Sequence, residues 1–140
     1  EWRGQSLVYA SDTEGYVGGD RRLMAFARNT DLLIHDAQYS EAHYRGQRPG
    51  LPATQGYGHS TPQMACEMAR AAGVRQLALF HHDPNYDDAT LLELEAEARE
   101  LFPATFSARE GLQVTLAEGV RAQQAVQLPR RNQVPALQIG

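Results

Sequence analysis

Three short apolar runs punctuate this chain, Leu7-Val8-Tyr9-Ala10, Leu32-Leu33-Ile34 and Leu77-Ala78-Leu79-Phe80, and each stops abruptly at polar residues. Runs of three or four apolar residues rich in branched and aromatic side chains fit the middles of buried strands. They predict strands over residues 6–10, 31–36 and 76–80. Between them the apolar positions change to helical spacing. Asp20 can cap a helix whose stripe is Leu23, Met24, Phe26 and Ala27. Ser60 or Thr61 can cap a second, with Pro62 in its first turn, an inner face of Met64, Ala65, Met68, Ala69 and Ala72, and Gly73 as its stop. After Asp87-Asp88 a third helix turns Leu91, Leu92, Leu94, Ala98 and Leu101 inward and Glu93, Glu95, Glu97, Arg99 and Glu100 to water. Thr105 to Ala108 and Leu112 to Leu116 read as two closing strands around Gly111.

The order β-α-β-α-β-α-β-β predicts a layered α/β domain. Residues 38–58 show no period, and a loop of that length in a compact domain is more often functional than filler. We place the domain at 1–118 and expect 119–140, rich in Gln, Arg and Pro, to form a poorly packed tail. The first residues carry neither an initiator Met nor a signal pattern, and a strand follows almost at once, so a fragment of a longer protein is expected.

Composition narrows the function classes. All 13 basic residues are Arg, and the net charge is −4, which argues against a broad basic surface for nucleic acid but leaves a few Arg forks for phosphate. No apolar run is long enough to cross a bilayer. The single cysteine, Cys66, lies in a helical pattern with no His beside it and reads as a buried apolar residue rather than a nucleophile. The absence of a possible internal disulfide fits a cytoplasmic location.

The chemistry-bearing residues stand where the apolar runs end, which is where α/β proteins gather ligands. Asp12 follows the first strand, and its two oxygens suit it to bridge two divalent ions or, equally, to cap a turn. His59 opens a helix with Ser60 and Thr61, a placement that suits proton transfer beside an anion site, or a plain surface cap. His81 follows the third strand; strand alternation sends His81 and His82 to opposite sides, so one metal takes only one of them. Asp83-Pro84-Asn85 is turn chemistry in which Asp83 can orient a His. His35-Asp36 is either a supporting pair behind a site or another capping turn, and His43 stands alone in the long loop. No Gly-rich phosphate loop, Cys-x-x-Cys or Gly-x-Ser-x-Gly occurs.

Taken in order, Ser11-Asp12-Thr13, Leu33-Ile34-His35-Asp36-Ala37-Gln38-Tyr39, Gly58-His59-Ser60-Thr61 and Leu77-Ala78-Leu79-Phe80-His81-His82, with Ala108-Arg109-Glu110-Gly111 as a closing pattern, resemble the C-terminal half of the metallo-β-lactamase superfamily, on its ribonuclease Z and phosphodiesterase-like branch. The resemblance implies half of a four-layer αββα sandwich, a mixed sheet with flanking helices. It implies two divalent metal ions, zinc expected and manganese or iron open, with Asp12 as bridging ligand and His81 as terminal ligand. It further implies His59 and Asp12 as catalytic residues, Ser60 and Thr61 as substrate-binding, and Asp36 and Asp83 as supports. The family's His-x-His-x-Asp-His cluster does not occur here, so an N-terminal half of the same domain is expected as a partner.

The function so implied is metal-dependent hydrolysis of a phosphodiester, in a small molecule or nucleic acid, with a homodimer open and no membrane partner. Transfer-RNA processing in particular is disfavoured by the lack of a basic arm. The competing expectations are a sensor domain that keeps the fold without turnover, and a thioester or lactone hydrolase.

Overall fold

The computed structural model describes residues 4–15 and 19–116. The expected tail, 119–140, therefore lies outside the described residues. Four strands, β1 (Leu7–Ala10), β2 (Leu32–Asp36), β3 (Gln76–Phe80) and β4 (Thr105–Ser107), pair side by side in chain order. Every pairing is parallel, with Val8 opposite Leu33, Leu33 opposite Leu77, and Leu77 opposite Thr105. A parallel pair needs a crossover, and helices supply each one: α1 (Arg21–Phe26) between β1 and β2, α2 (Glu41–Tyr44) and α3 (Pro62–Ala72) between β2 and β3, and α4 (Asp88–Leu101) between β3 and β4.

The core forms where alternate strand residues meet the helices. Val8, Leu33, Leu77 and Leu79 pack against Ala27, Ala65, Cys66, Met68, Ala69, Ala72 and Ala98. Small residues on α3 let it sit close to the sheet. Its ends follow the sequence signals: Thr61 caps Met64 N–H, Pro62 opens the first turn, and Gly73 closes the helix at φ 67°. Burial pushes the Cys66 thiol up to about 11, as an inert core residue requires.

The opposite face of the sheet has a different character. Leu32, Ile34, Ala78, Phe80 and Phe106 line an apolar cleft there with Arg109, Leu112 and Val114 beside them; Leu32 and Ala78 are buried, and Tyr9 is 57% exposed at its edge. Two of its rings, Tyr9 and Phe80, meet edge-on at 5.5 Å. An apolar cleft with an exposed aromatic ring at its edge is a candidate interaction face.

Several expectations are corrected. The sheet is parallel throughout the described residues rather than mixed, and Leu112 to Leu116 is irregular chain, not a fifth strand. The outward N–H of Ser107 on the β4 edge is taken by the Glu95 carboxylate at 2.9 Å, a charged cap in place of another strand. That contact also corrects Glu95, which is bound by Arg109 at 3.0 Å instead of pointing to water. Leu92, Leu101 and Phe26, expected inside, are exposed. The long unpatterned stretch contains the one-turn helix α2, too short for a period to register.

Candidate metal centre

Period-two alternation sorts the residues of β2. Leu33 and His35 face the helices, while Leu32, Ile34 and Asp36 belong to the other side. His35 is thereby a core histidine: its Nδ1 lies 2.8 Å from the Asp36 carbonyl and burial pushes its pKa down. Burial lowers His82 in the same way. Asp36 instead emerges at the C-terminal rim of the sheet, between the ends of β1 and β3.

Asp36 is the hub of that rim. It has no exposed surface, and both oxygens accept hydrogen bonds. Oδ1 receives the N–H of Ser60 at 2.9 Å and of Gln38 at 3.3 Å; Oδ2 receives the N–H of Asp12 at 3.0 Å. His59 Nδ1 lies 2.9 Å from Oδ2 and His81 Nδ1 3.5 Å from the same atom. A carboxylate can only accept in such a contact, so His59 carries its proton on Nδ1 and presents the Nε2 lone pair outward.

Asp12, His59 and His81 meet in front of this hub. One ligand atom from each lies within 4.8 Å of the others. His81 Nε2 is 3.6 Å from Asp12 Oδ1, and the two imidazoles stack at 4.8 Å with planes 13° apart. Asp12 and His81 both bend sharply off their strands, with φ of 53° and 62°. Side chains rarely adopt that left-handed conformation, and it turns both donors back over the rim. One carboxylate oxygen and two imidazole nitrogens are the donors a zinc-class ion prefers, so the residues fit such a metal.

The remaining expected residues take other places. Ser60 and Thr61 are fully buried, with their hydroxyls already engaged. Ser60 Oγ donates to the Thr13 carbonyl at 2.6 Å and accepts Gly15 N–H, while Thr61 Oγ1 bonds Glu41 and caps α3. Asp83 closes its own turn through Asn85 N–H at 2.9 Å and lies 3.8 Å from His43. His43, unassigned from sequence, is buried against the Tyr86 hydroxyl at 3.0 Å. Tyr39 stands edge-on to both His43 and His59, linking this cluster to the rim.

Glu14 was missed altogether. Its carboxylate accepts the Tyr44 hydroxyl at 2.6 Å and the N–H groups of Gly56 and Gly58 at 2.7 and 2.9 Å. Both glycines have positive φ, 84° and 87°, so the turn leading into His59 is held by this one side chain. Desolvation would raise the Glu14 pKa, but those hydrogen bonds and the nearby His59 together lower it. A lowered folded-state pKa contributes stability above the unfolded value of 4.5, lost as pH falls through the folded value. We therefore expect Glu14→Gln to lower the urea midpoint at neutral pH, with the gap to the parent chain closing below the folded-state pKa. A gap of constant size across that range would count against the assignment.

Comparison with known proteins meets this geometry. No family model matches the chain. The fold resembles that of the metallo-beta-lactamase fold protein YhfI from Bacillus subtilis, whose crystal structure aligns with a TM-score of 0.56 at 21% identity over 74% of this chain and 36% of that one. Parallel sheet, one-sided helices and a rim of metal donors thus define a portion of a metallo-β-lactamase-fold protein.

Among curated sequences, Ribonuclease Z from Gemmatimonas aurantiaca is 39% identical over 115 residues, 82% of this chain and 33% of its own length. Ribonuclease Z from Brevibacillus brevis is 37% identical over 73% of this chain and 30% of its length. The chain belongs to the metallo-β-lactamase superfamily, on its ribonuclease Z-like branch. It spans about a third of the length of the curated relatives it matches. No helix among the described residues is long and apolar enough to cross a membrane.

Proposed function

We propose that this chain is the C-terminal part of a metal-dependent phosphodiester hydrolase acting on RNA. The observation that carries the reading is the convergence of Asp12, His59 and His81 at the strand tips, within 4.8 Å, in front of the buried Asp36. The relatives named Ribonuclease Z favour RNA over other diesters. The lack of a basic arm here weighs little, because most of the length of those relatives has no counterpart in this chain.

A second layer of the same domain, supplied from elsewhere in a longer protein, would cover the apolar sheet face around Tyr9, Ile34, Phe80 and Phe106. It would also bring the donors for a second ion, since three ligands per catalytic metal exceed what Asp12 and His81 provide between two. Zinc is the expected metal, with manganese or iron open. Two such ions supply activation of the attacking water and stabilise charge on phosphorus oxygens.

The chain's own residues do the rest. Asp12 and His81 would hold the metal side of the site. His59, oriented by Asp36 through Nδ1–H, aims Nε2 at the leaving oxygen; Nε2 takes up the proton given up by the attacking water and delivers it there. Asp36 keeps the ring in place between proton uptake and release. Ser60 and Thr61 fix the backbone just after that imidazole and lead into α3, whose N-terminus favours a phosphate nearby. Asp83 supports from behind, through His43 and Tyr86.

The test uses a longer protein that contains this chain. It is expected to cleave RNA and bis(p-nitrophenyl) phosphate, to lose activity to a chelator and to regain it with zinc or manganese. Faster cleavage of thioesters or lactones would reassign the substrate class, and a metal-free, inactive protein would favour the sensor function.

A further inference from the structure

We propose that Glu14 is a positioning residue for the reaction: it ties the segment carrying Asp12 to the turn carrying His59, and so sets where the His59 imidazole stands. The inference rests on the proposed function for the roles of Asp12 and His59, and adds what holds the two in register.

Glu14 follows Asp12 by two residues, just past the end of β1, whereas Gly58 lies 44 residues further along the chain. Both carboxylate oxygens reach across. Oε2 accepts Gly58 N–H, immediately before His59, at 2.9 Å. Oε1 accepts Gly56 N–H at 2.7 Å and the Tyr44 hydroxyl at 2.6 Å. Gly56 and Gly58 lie in no helix or strand, and two glycines within three residues leave a turn soft unless something fixes it. Here one side chain takes the N–H of each.

The same two segments are joined again on the far side of His59. Ser60 Oγ donates to the Thr13 carbonyl at 2.6 Å and accepts Gly15 N–H at 3.0 Å. Gly15 runs so close to the first turn of α3 that a Cβ there would stand 2.9 Å from Met64 Cβ. His59 is thus bracketed, with Gly58 bound by Glu14 and Ser60 bound between Thr13 and Gly15. Asp36 and Glu14 divide the work. Asp36 Oδ2, 2.9 Å from Nδ1, sets the direction of the ring, while Glu14 sets the backbone from which the ring projects.

Placement matters because Nε2 must come within about 2.6–3.2 Å of the oxygen it protonates. A misplacement of about 1 Å can cost about a hundredfold in rate. With its oxygens engaged by three donors, Glu14 acts through the turn and not on the substrate. Glu14→Gln keeps the shape but puts an NH2 where an acceptor is needed, facing Gly58 N–H or, turned over, Gly56 N–H and Tyr44.

The experiment compares two substrates in a longer protein that contains this chain. Glu14→Gln should lower kcat on RNA about tenfold or more, with KM little changed. The fall should be smaller on bis(p-nitrophenyl) phosphate, whose leaving group departs without a proton. Tyr44→Phe removes one donor and leaves the carboxylate, and should give the same pattern with a smaller loss. General damage to the fold or to the metal side would depress both substrates alike. Equal falls on the two substrates, or an unchanged kcat on RNA, overturn the proposal. Because a variant can fail to fold, hydrogen exchange is also followed in the unsubstituted protein, where the Gly56 and Gly58 amides should be slowed. Exchange of those amides at open-chain rates overturns the proposal as well. An unsubstituted protein that cleaves neither diester would instead overturn the proposed function, and the exchange still reads the tie.

Discussion

Replacing Asp36 with Asn should damage both stability and function. Each carboxylate oxygen accepts from two or more donors: Ser60 and Gln38 N–H on Oδ1, Asp12 N–H and the His59 ring on Oδ2. An amide has one acceptor and one donor end. Whichever way it is turned, an NH2 group faces N–H groups that it cannot satisfy, in a position without exposed surface. Hydrogen bonds to a charged acceptor are worth about 1.5–3 kcal/mol each, and stranded buried donors cost about 1–3 kcal/mol more. We expect a loss of about 3 kcal/mol or more in urea unfolding of the chain. In the longer protein the fall in kcat should be about a hundredfold or more, since the general acid loses its orientation. A variant with full stability would mean that Asp36 is not the hub the hydrogen bonds indicate.

The second large effect has opposite signs in its two readouts. Asp12→Gly removes the metal-facing carboxylate and should abolish measurable diester cleavage by the longer protein, a loss of at least a thousandfold in kcat. The same change relieves a left-handed backbone, φ 53°, which costs a residue with a side chain about 1 kcal/mol. The carboxylate is largely exposed and accepts a hydrogen bond from the neighbouring Ser11 hydroxyl at 2.8 Å. The chain should therefore unfold at an equal or higher urea concentration. Equal losses in stability and activity would show that Asp12 serves the fold rather than the site.

Much of the architecture was legible because it depends on local pattern. Each apolar run became a strand, and capping residues opened the helices that follow: Asp20, Thr61 and Asp87 all accept first-turn N–H groups. What failed depends on partners far along the chain. Leu112 to Leu116 has the composition of a strand, but pairing was decided at the β4 edge, where Glu95 from α4 had taken the free N–H. Leu92 and Leu101 fit a helical stripe, but the sheet receives α4 along the line of Ala98.

The site divides the same way. Asp12, His59 and His81 were visible as polar residues at strand and helix ends. Their meeting depends on pairing register, which brings β1, β2 and β3 into line. Asp36 was ranked only as a support. Alternation along β2 was enough to separate it from His35, but no spacing rule joins it to His59, 23 residues on. Glu14 gave no signal, because its partners Tyr44, Gly56 and Gly58 lie 30 or more residues away. His43 could not be placed without Tyr86.

The most direct measurement is anomalous X-ray diffraction at the zinc edge from crystals of a zinc-loaded protein containing this chain. The account predicts a peak about 2.0–2.2 Å from both an Asp12 oxygen and His81 Nε2, at the rim in front of Asp36. A zinc-bearing protein whose peak lies away from those two side chains would contradict it.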